Sequence, residues 1–177
     1  MVSQEVSVRT LSGQEAFAHI PALCEVLIDC VEGGASVSFM APLAREKAER
    51  FWRGVAEGVA SGERTLLVAA DSEAGEILGT VQLILGQPEN QPHRADVSKM
   101  LVRSSARRRG IGGALMRAVE DEARRAAKTL LVLDTASEEA ERLYERSGWT
   151  RVGVVPGYAL FPDGRPCDTA YYYKQLV

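Results

Sequence analysis

The sequence has little of what marks several specialised classes of protein. Its three cysteines are odd in number and lack metal-ligand spacing, so they favour free thiols over a disulfide framework or a metal site. The net charge of −3 gives no overall basic surface for nucleic acid, and no apolar run approaches the length of a membrane span. The N-terminal segment has no apolar signal-peptide core. These absences predict a cytoplasmic protein that needs no metal, membrane or nucleic acid.

What the chain does have is the composition of one globular domain. It has 177 residues, of which 46% are hydrophobic and 25% are charged, so it is long enough to bury a sizeable core. We therefore predict a single domain over residues 1–177. The hydrophobic periodicity predicts the element order βααβββαβαββ.

Local signals place the elements of the N-terminal half. A weakly alternating strand is predicted over Val2–Leu11, and a capping box at Ser12 and Glu15 begins the first helix. Pro21 predicts a kink in that helix, and Pro42 fits the first residue of the next one. The other elements are predicted over Leu43–Val59, Thr65–Ala70, Ile77–Leu85, Ala95–Val102, Gly110–Ala127, Leu130–Asp134, a helix from Ser137, Thr150–Val155 and Thr169–Leu176.

The most informative segment is a strand, a turn and a helix start at Val97–Met116. A β-branched run ends in a turn with three consecutive arginines, Arg107–Arg109, and a helical pattern follows Gly110 with two more glycines. The free N–H groups of a first helical turn carry the positive end of the helix dipole, and glycines let a ligand approach the backbone closely. The turn is therefore predicted to bind an anion, for which a phosphate or pyrophosphate is the best fit.

The spacing of the glycines narrows the choice of anion site. A dinucleotide-binding loop needs G-x-G-x-x-G, but Leu115 stands at the position of the third glycine. A P-loop needs a Lys-Ser/Thr pair after its second glycine, and none follows here. The pattern that fits is R-x-x-G-x-G, which runs from Arg107 through Gly110 to Gly112.

A second pattern lies downstream of the first. Thr129–Thr135 has the composition of a short buried strand, and an amphipathic helix begins at Ser137. Gly148 is a natural C-terminal cap for that helix. The helix and its end contain the string A-x-x-x-Y-x-x-x-G-W over Ala140–Trp149.

Together the two patterns resemble the signatures of the GNAT superfamily of N-acetyltransferases. The resemblance implies an α/β fold (α+β in some schemes) with a mixed central sheet of about seven strands, flanked by four helices. It also implies that the middle parallel strands separate and that acetyl-CoA, the acetyl donor, lies between them without a metal. In the family, loop amides bind the coenzyme A pyrophosphate, and the preceding strand supplies an amide to the oxyanion. The cofactor-binding residues implied are Met100, Leu101, Val102, Arg107, Arg108, Arg109, Gly110, Ile111, Gly112, Gly113, Ser137 and Tyr144.

Two parts of this set have competing interpretations. The arginines Arg107–Arg109 could pair with coenzyme A phosphates, lie in solvent or contact nucleic acid as a basic patch. The acidic total and the lack of interleaved aromatics count against the last interpretation. Ser137 stands where the family often has an asparagine that contacts the cofactor, so this contact depends on a hydroxyl instead.

Acetyl transfer to an amine also needs a base for the amine and a proton donor for the leaving sulfur. Tyr144 matches the family tyrosine that points at the thioester sulfur, and phenol and alkyl thiol have similar pKa values; the alternative is a core tyrosine. Asp96 and Asp134 begin and end neighbouring strands, where partial desolvation would raise the pKa of a carboxyl toward that of a useful base. Both could instead be caps. His93 and His19 are weaker candidates for the base.

The acceptor side is predicted from three further strings. Glu32–Met40, Arg94–Val102 and Thr150–Tyr158 resemble segments of the tabtoxin-resistance acetyltransferases, which act on a small zwitterionic amino acid. In the family, the first of these loops overhangs the acceptor site. The alternatives are that a Gly-Gly pair merely ends a helix and that the tryptophan packs in the core. The candidate substrate-binding residues are Glu32, Gly33, Gly34, Ser36, Trp52 and Tyr158.

The resulting prediction is an acetyl-CoA-dependent N-acetyltransferase, either a monomer or a homodimer. It would act on the primary amine of a small molecule by direct transfer in a ternary complex. The tabtoxin resemblance implies a role in detoxifying a toxin or an antibiotic. Two alternatives remain: a protein lysine or N-terminal acetyltransferase, and a non-catalytic acyl-CoA-binding module. Fold analogy does not decide among them.

Overall fold

The computed structural model describes residues 6–176, which form seven strands and five helices. The strands are β1 (Val6–Leu11), β2 (Arg64–Asp71), β3 (Ile77–Ile84), β4 (Arg94–Val102), β5 (Leu130–Thr135), β6 (Thr150–Leu160) and β7 (Pro166–Gln175). The helices are α1 (Gly13–Ala18), α2 (Ile20–Glu32), α3 (Arg45–Ala60), α4 (Ile111–Arg125) and α5 (Glu138–Arg146). The predicted fold class is confirmed, and the first part of the predicted opening strand lies outside the described residues.

The strands form one mixed sheet in the order β1-β2-β3-β4-β5-β7-β6. The pairing of β4 with β5 is parallel, and the other five neighbouring pairs are antiparallel. Parallel strands need a crossover connection, and α4 supplies it here. This parallel pair lies in the middle of the sheet, where the N-terminal and C-terminal halves of the chain meet.

The central pair of strands separates soon after it forms. Only three residues of each strand are paired, and the last of these pairs joins Asp96 to Val132. Beyond this pair β4 continues to Val102 alongside β3, whereas β5 continues to Thr135 alongside β7. The sheet therefore opens in the middle, as the family resemblance implied.

The N-terminal helical region is divided where the sequence predicted a kink. The capping box at Ser12 and Glu15 is present, with the Ser12 hydroxyl accepting from the Glu15 N–H and the Glu15 carboxylate accepting from the Ser12 N–H. The first helix ends at His19, and α2 begins with Pro21 in its first turn, where a missing N–H costs no helical hydrogen bond. This division produces five helices in place of the predicted four.

Two boundary predictions were wrong. Pro42 does not begin a helix: it lies in the preceding loop, and α3 starts at Arg45 after Ala44, which has the extended backbone of an N-cap residue. The final strand pair is longer than predicted, because β6 continues to Leu160. Its pairing with β7 shifts register at two places, and a prediction that requires strict alternation of polar and apolar residues ends the strand at the second shift.

The helices cover both faces of the sheet and bury an apolar layer on each. On one face α2 and α3 pack against β2 and β3, with Leu23, Leu27 and Trp52 completely covered. On the other face α4 packs against the sheet through Leu115 and Met116. None of the helices within residues 6–176 is long and apolar enough to cross a membrane.

A buried charged residue ties the C-terminal elements together. Glu120 of α4 is only 6% exposed. One of its carboxylate oxygens accepts from the Trp149 indole N–H at 3.0 Å, and the other accepts from Lys174 Nζ at 2.8 Å. Lys174 also donates to the Ser147 carbonyl at 2.6 Å. These bonds connect α4, β7 and the C-terminal end of α5.

We predict that Glu120→Ala lowers the free energy of unfolding by about 3 kcal/mol, because it leaves the indole N–H of Trp149 without its acceptor and the Lys174 ammonium without its carboxylate partner. Urea unfolding monitored by circular dichroism measures this. Asp121→Ala on the same helix is the control: Asp121 is 61% exposed and pairs with Arg124 at the surface, so its loss should cost less than about 0.5 kcal/mol. Equal unfolding midpoints for the two variants would contradict the structural role of Glu120.

Candidate active site

The opening between β4 and β5 is the entrance to a cavity of about 800 Å³. Its walls come from the loop after α2, the second half of β4, the start of α4, the end of β5, one face of α5 and the end of β6. Elements from both faces of the sheet therefore line one cavity, which is large enough for a small-molecule ligand.

One end of the cavity has the backbone and charge of the predicted anion site. Gly110, the N-cap of α4, has φ +77°, and no side chain caps this helix. The first N–H groups of α4 therefore stay available to a ligand at the positive end of the helix dipole. Arg108 also has a left-handed backbone, with φ +61°, which gives the arginine turn its tight shape. The predicted residues that line this end are Arg107, Arg108, Gly110, Ile111, Gly112 and Gly113.

Hydrogen bonds join the turn that precedes α4 to helix α2 in the N-terminal half of the chain. The Asp29 carboxylate of α2 accepts from both the N–H and the hydroxyl of Ser104, each at 2.7 Å. Arg107 in turn donates to the Val102 carbonyl at 3.4 Å. Arg107 and Arg108 line the cavity, but Arg109, which was also predicted to bind the cofactor, does not.

The second half of β4 is irregular where it borders the cavity. Thr80 pairs with Leu101, but Gln82 pairs with Ser98, so Lys99 and Met100 together face the single residue between them on β3. Lys99 has φ +51°, and its carbonyl accepts from the Thr80 hydroxyl at 3.1 Å. Such a bulge removes backbone groups from the regular ladder. Met100, Leu101 and Val102, the predicted oxyanion segment, all line the cavity.

Tyr144 lies on α5 with its side chain only 4% exposed. Its ring packs against those of Trp149 and Tyr172, at centroid distances of 6.1 and 5.9 Å. Burial raises the pKa of the phenol well above its usual value, and the negative charge of Asp134 raises it further. Tyr144 therefore stays protonated and lines the cavity as a potential proton donor.

The structure distinguishes between the two candidate bases. Asp134 is exposed at the end of β5, lines the cavity and accepts from the Thr169 hydroxyl at 3.3 Å. Asp96 lies where β4 and β5 are still paired, and its carboxylate is bound by Arg94 and by the Gln87 amide. Asp96 is absent from the cavity wall, so only Asp134 shares the cavity with Tyr144.

The α2–α3 loop forms another wall, but not all of the residues predicted to bind substrate reach it. Gly33, Gly34 and Ser36 line the cavity, and the Ser36 hydroxyl donates to the Leu160 carbonyl of β6 at 3.0 Å. Tyr158 lines it from β6, with its hydroxyl accepting from Tyr171 at 3.1 Å. The Ser36–Leu160 bond joins the α2–α3 loop to β6 at this side of the cavity.

Several predicted residues have other surroundings. Glu32 accepts from the Leu43 N–H at 3.2 Å and is not on the cavity wall, while Trp52 is fully buried in the α2–α3 core against Phe51. The Glu32 prediction relied on membership of the loop, which does not determine which way a side chain faces, and Trp52 has the core position that was its alternative. Ser137 lines the cavity, but its hydroxyl also caps α5 by accepting from the Ala140 N–H. His19 and His93 are likewise off the cavity wall.

Among the polar residues of the cavity that were not singled out from the sequence, Lys99 is the one that lies on the bulge of β4. Lys99 donates from Nζ to the Ser38 hydroxyl at 3.0 Å. Burial lowers the pKa of this ammonium, with a smaller opposing effect from Asp134. The available signal was a charged residue in the mostly apolar end of a strand that leads directly into the arginine–glycine turn. Across residues 6–176, no group of three His, Cys, Asp or Glu side chains is arranged to hold a metal ion.

Comparison with known proteins identifies the family. The model of the acetyltransferase (GNAT) family matches residues 23–149. An uncharacterized N-acetyltransferase from the hisH-hisA intergenic region of Azospirillum brasilense is 37% identical over 145 residues, which cover 81% of this chain and 82% of that protein. The chain therefore belongs to the GNAT family of acetyltransferases.

Solved structures agree with this fold. An N-acetyltransferase from Staphylococcus aureus Mu50 superimposes with a TM-score of 0.79 at 18% identity, covering 98% of this chain and 99% of that one. The yncA protein of Salmonella typhimurium, solved with its cofactor acetyl-CoA, gives 0.78 at 20% identity, covering 98% and 95%. A phosphinothricin acetyltransferase from Sinorhizobium meliloti, in complex with acetyl-CoA, gives 0.77 at 20% identity, covering 97% and 88%.

Proposed function

We propose that this enzyme transfers the acetyl group of acetyl-CoA to the primary amine of a small molecule, within a ternary complex. The observation that carries the proposal is one cavity lined by the uncapped start of α4, by the protonated phenol of Tyr144 and by the carboxylate of Asp134. An anion-binding end, a proton donor and a proton acceptor in one space are what amide formation from a thioester requires.

The residues of the cavity fit acetyl-CoA, which supplies the acetyl group as a thioester when bound. Arg107, Arg108 and the first N–H groups of α4 would hold the pyrophosphate, because they combine positive charge with free donors. Backbone N–H groups from Met100 to Val102 would stabilise the developing oxyanion. Burial of Tyr144 keeps a proton available for the departing sulfur, and Asp134 takes a proton from the amine, directly or through water.

Direct transfer is favoured over a covalent acyl-enzyme. Cys30 is the one cysteine on the cavity wall among the described residues, and it is buried. Burial raises the pKa of its thiol, which donates to the Val102 carbonyl at 3.5 Å. A thiol held neutral is a poor nucleophile, so the amine itself is the better candidate for attack on the thioester.

The shape of the acceptor side supports a small substrate. The α2–α3 loop is joined to the β6–β7 region by the Ser36–Leu160 bond and by a bond from the Ala41 N–H to the Pro162 carbonyl at 3.1 Å. This closure leaves less room for a protein chain than an open groove would. The three strings that resemble tabtoxin-resistance acetyltransferases extend the proposal to an amino-acid-like toxin or antibiotic, and hence to detoxification.

Replacing Tyr144 tests the proton donor. We predict that Tyr144→Phe lowers kcat by a factor of about 100 or more, because the sulfur then leaves without a general acid. The affinity for acetyl-CoA, measured by calorimetry, should change less than about twofold, because the ring remains. Tyr172→Phe is the matched control: its hydroxyl is buried against Glu141 and Glu145, away from the cavity. Wild-type turnover in the Tyr144 variant would remove this residue from the mechanism.

Two matched substitutions of aspartate by asparagine test the base. We predict that Asp134→Asn lowers kcat about 100-fold near neutral pH and that activity recovers as the pH approaches the pKa of the amine, which then loses its proton without assistance. Asp96→Asn should keep turnover within about threefold, since this carboxylate is paired with Arg94 off the cavity wall. The pH profile of kcat distinguishes the two. A larger loss in the Asp96 variant would reverse the assignment.

A charge placed at the start of α4 tests the anion site. The Gly113→Asp side chain has space, because an added Cβ would meet only Arg117 Nη1 at 3.5 Å. The new carboxylate should stabilise the helix by about 0.3–1 kcal/mol, yet it should weaken acetyl-CoA binding about 100-fold by repelling the pyrophosphate.

Gly113→Asn is the neutral control of the same size, and it should bind acetyl-CoA within about fivefold of the wild-type protein. Calorimetry and thermal unfolding separate the two effects, because they are expected to have opposite signs in the aspartate variant. Equal acetyl-CoA affinity in the two variants would show that the phosphates bind elsewhere.

A further inference from the structure

The acceptor side of the cavity contains a cation without an anionic partner. Lys99 is half-buried, and its Nζ donates to the neutral hydroxyl of Ser38 at 3.0 Å. The ring of Phe51 lies 5.9 Å from the same nitrogen. No described carboxylate is within 4.0 Å of Lys99. A desolvated ammonium is costly unless it is paired, so its partner is expected to come from a ligand.

The residues near Lys99 add a second positive charge and unpaired N–H donors to this side of the sheet. Arg64 is close enough for its charge to lower the pKa of Lys99. Arg64 donates to the side-chain carbonyl of Gln82 at 3.0 Å, and Gln82 lies opposite Ser98, the neighbour of Lys99. Arg64 Nε and Gln82 Nε2 are both buried and have no acceptor among the described residues. This side of the sheet therefore has more donors and positive charge than its own acceptors can satisfy.

The opposite charge lies across the same cavity. Asp134 lines it from β5, Lys99 lines it from β4 and Tyr144 lines it from α5, and the charge of Asp134 raises the pKa of both of the other groups. Asp134 and Lys99 do not form an ion pair, because β4 and β5 have already separated where the two residues occur. A molecule with an ammonium group at one end and an anion at the other would match this arrangement.

We infer that Lys99, positioned by the Ser38 hydroxyl, binds a carboxylate of the acceptor and thereby selects amines that also carry an acidic group. This inference rests on the proposed acetyl transfer and specifies its substrate class. Lys99 acts here as a specificity-determining residue. The carboxylate binds at Lys99, and the amine of the same molecule then lies toward Asp134 and the thioester.

The test compares amino acids with their carboxamides as acetyl acceptors, using released coenzyme A thiol as the measurement. For each pair, kcat/KM for the acid is divided by kcat/KM for the amide, in wild-type protein and in variants. Comparing this ratio between proteins cancels the difference in amine pKa between acid and amide. We expect Lys99→Met to lower the ratio about 10- to 100-fold, mainly through KM of the acid.

Three further variants make the result specific. Lys99→Arg keeps the charge and should retain most of the preference for the acid, whereas Ser38→Ala should lower the ratio by a smaller factor because Nζ loses its positioning bond. These two variants also decide the matter if the methionine variant does not fold. Lys128→Met is the control, because that lysine is also half-buried but donates to the Pro92 carbonyl outside the cavity.

The outcomes separate this inference from the proposed function. If no amine is acetylated although acetyl-CoA binds, the proposed transfer fails. If amines are acetylated but Lys99→Met lowers kcat equally for acids and amides, Lys99 acts through Asp134 and the carboxylate assignment is overturned. An unchanged acid-to-amide ratio in the methionine variant overturns it as well.

Discussion

The site depends on one constraint, which is that β4 and β5 stop pairing after three residues. From Asp96 onward β4 follows β3, and from Val132 onward β5 follows β7. Each strand keeps one neighbour, so its backbone groups on that side remain bonded, and those on the other side face a cavity. The bulge at Lys99 belongs to the same arrangement, since it changes which residues of β4 face the opening.

Because β4 and β5 separate, the helices beside the opening depend on contacts other than strand pairing. With no strand-to-strand bonds across the opening, α4 and α5 must be fixed by other contacts. Buried Glu120 joins α4 to Trp149 and Lys174, and Gly112 allows close contact with α5, because an added Cβ would lie 3.0 Å from a Leu143 methyl group. These contacts position the helix that carries Tyr144. The burial that stabilises this helix also raises the pKa of the phenol, so the packing of Tyr144 and its protonated state have a common origin.

The features that could be predicted from sequence are those that depend on residues close together in the chain. The capping box at Ser12, the arginine–glycine turn before α4 and the pattern around Tyr144 are local signals, and the elements formed where they indicated. Trp52 and Glu32 could not be placed this way, because whether a side chain faces the core, a backbone N–H or a cavity depends on how distant elements pack. Which of Asp96 and Asp134 lines the cavity depends on where the pairing of two strands ends, which is a property of register and not of composition.

The separation also explains why opposite charges persist unpaired in one cavity. A carboxylate and an ammonium that form an ion pair cancel much of the field that each exerts on a ligand. Here Asp134 belongs to β5 and Lys99 to β4, and these two strands are no longer paired where the two residues line the cavity. The fold therefore keeps both charges available. The stability lost by leaving them unpaired is offset by the two apolar layers that pack on either face of the sheet.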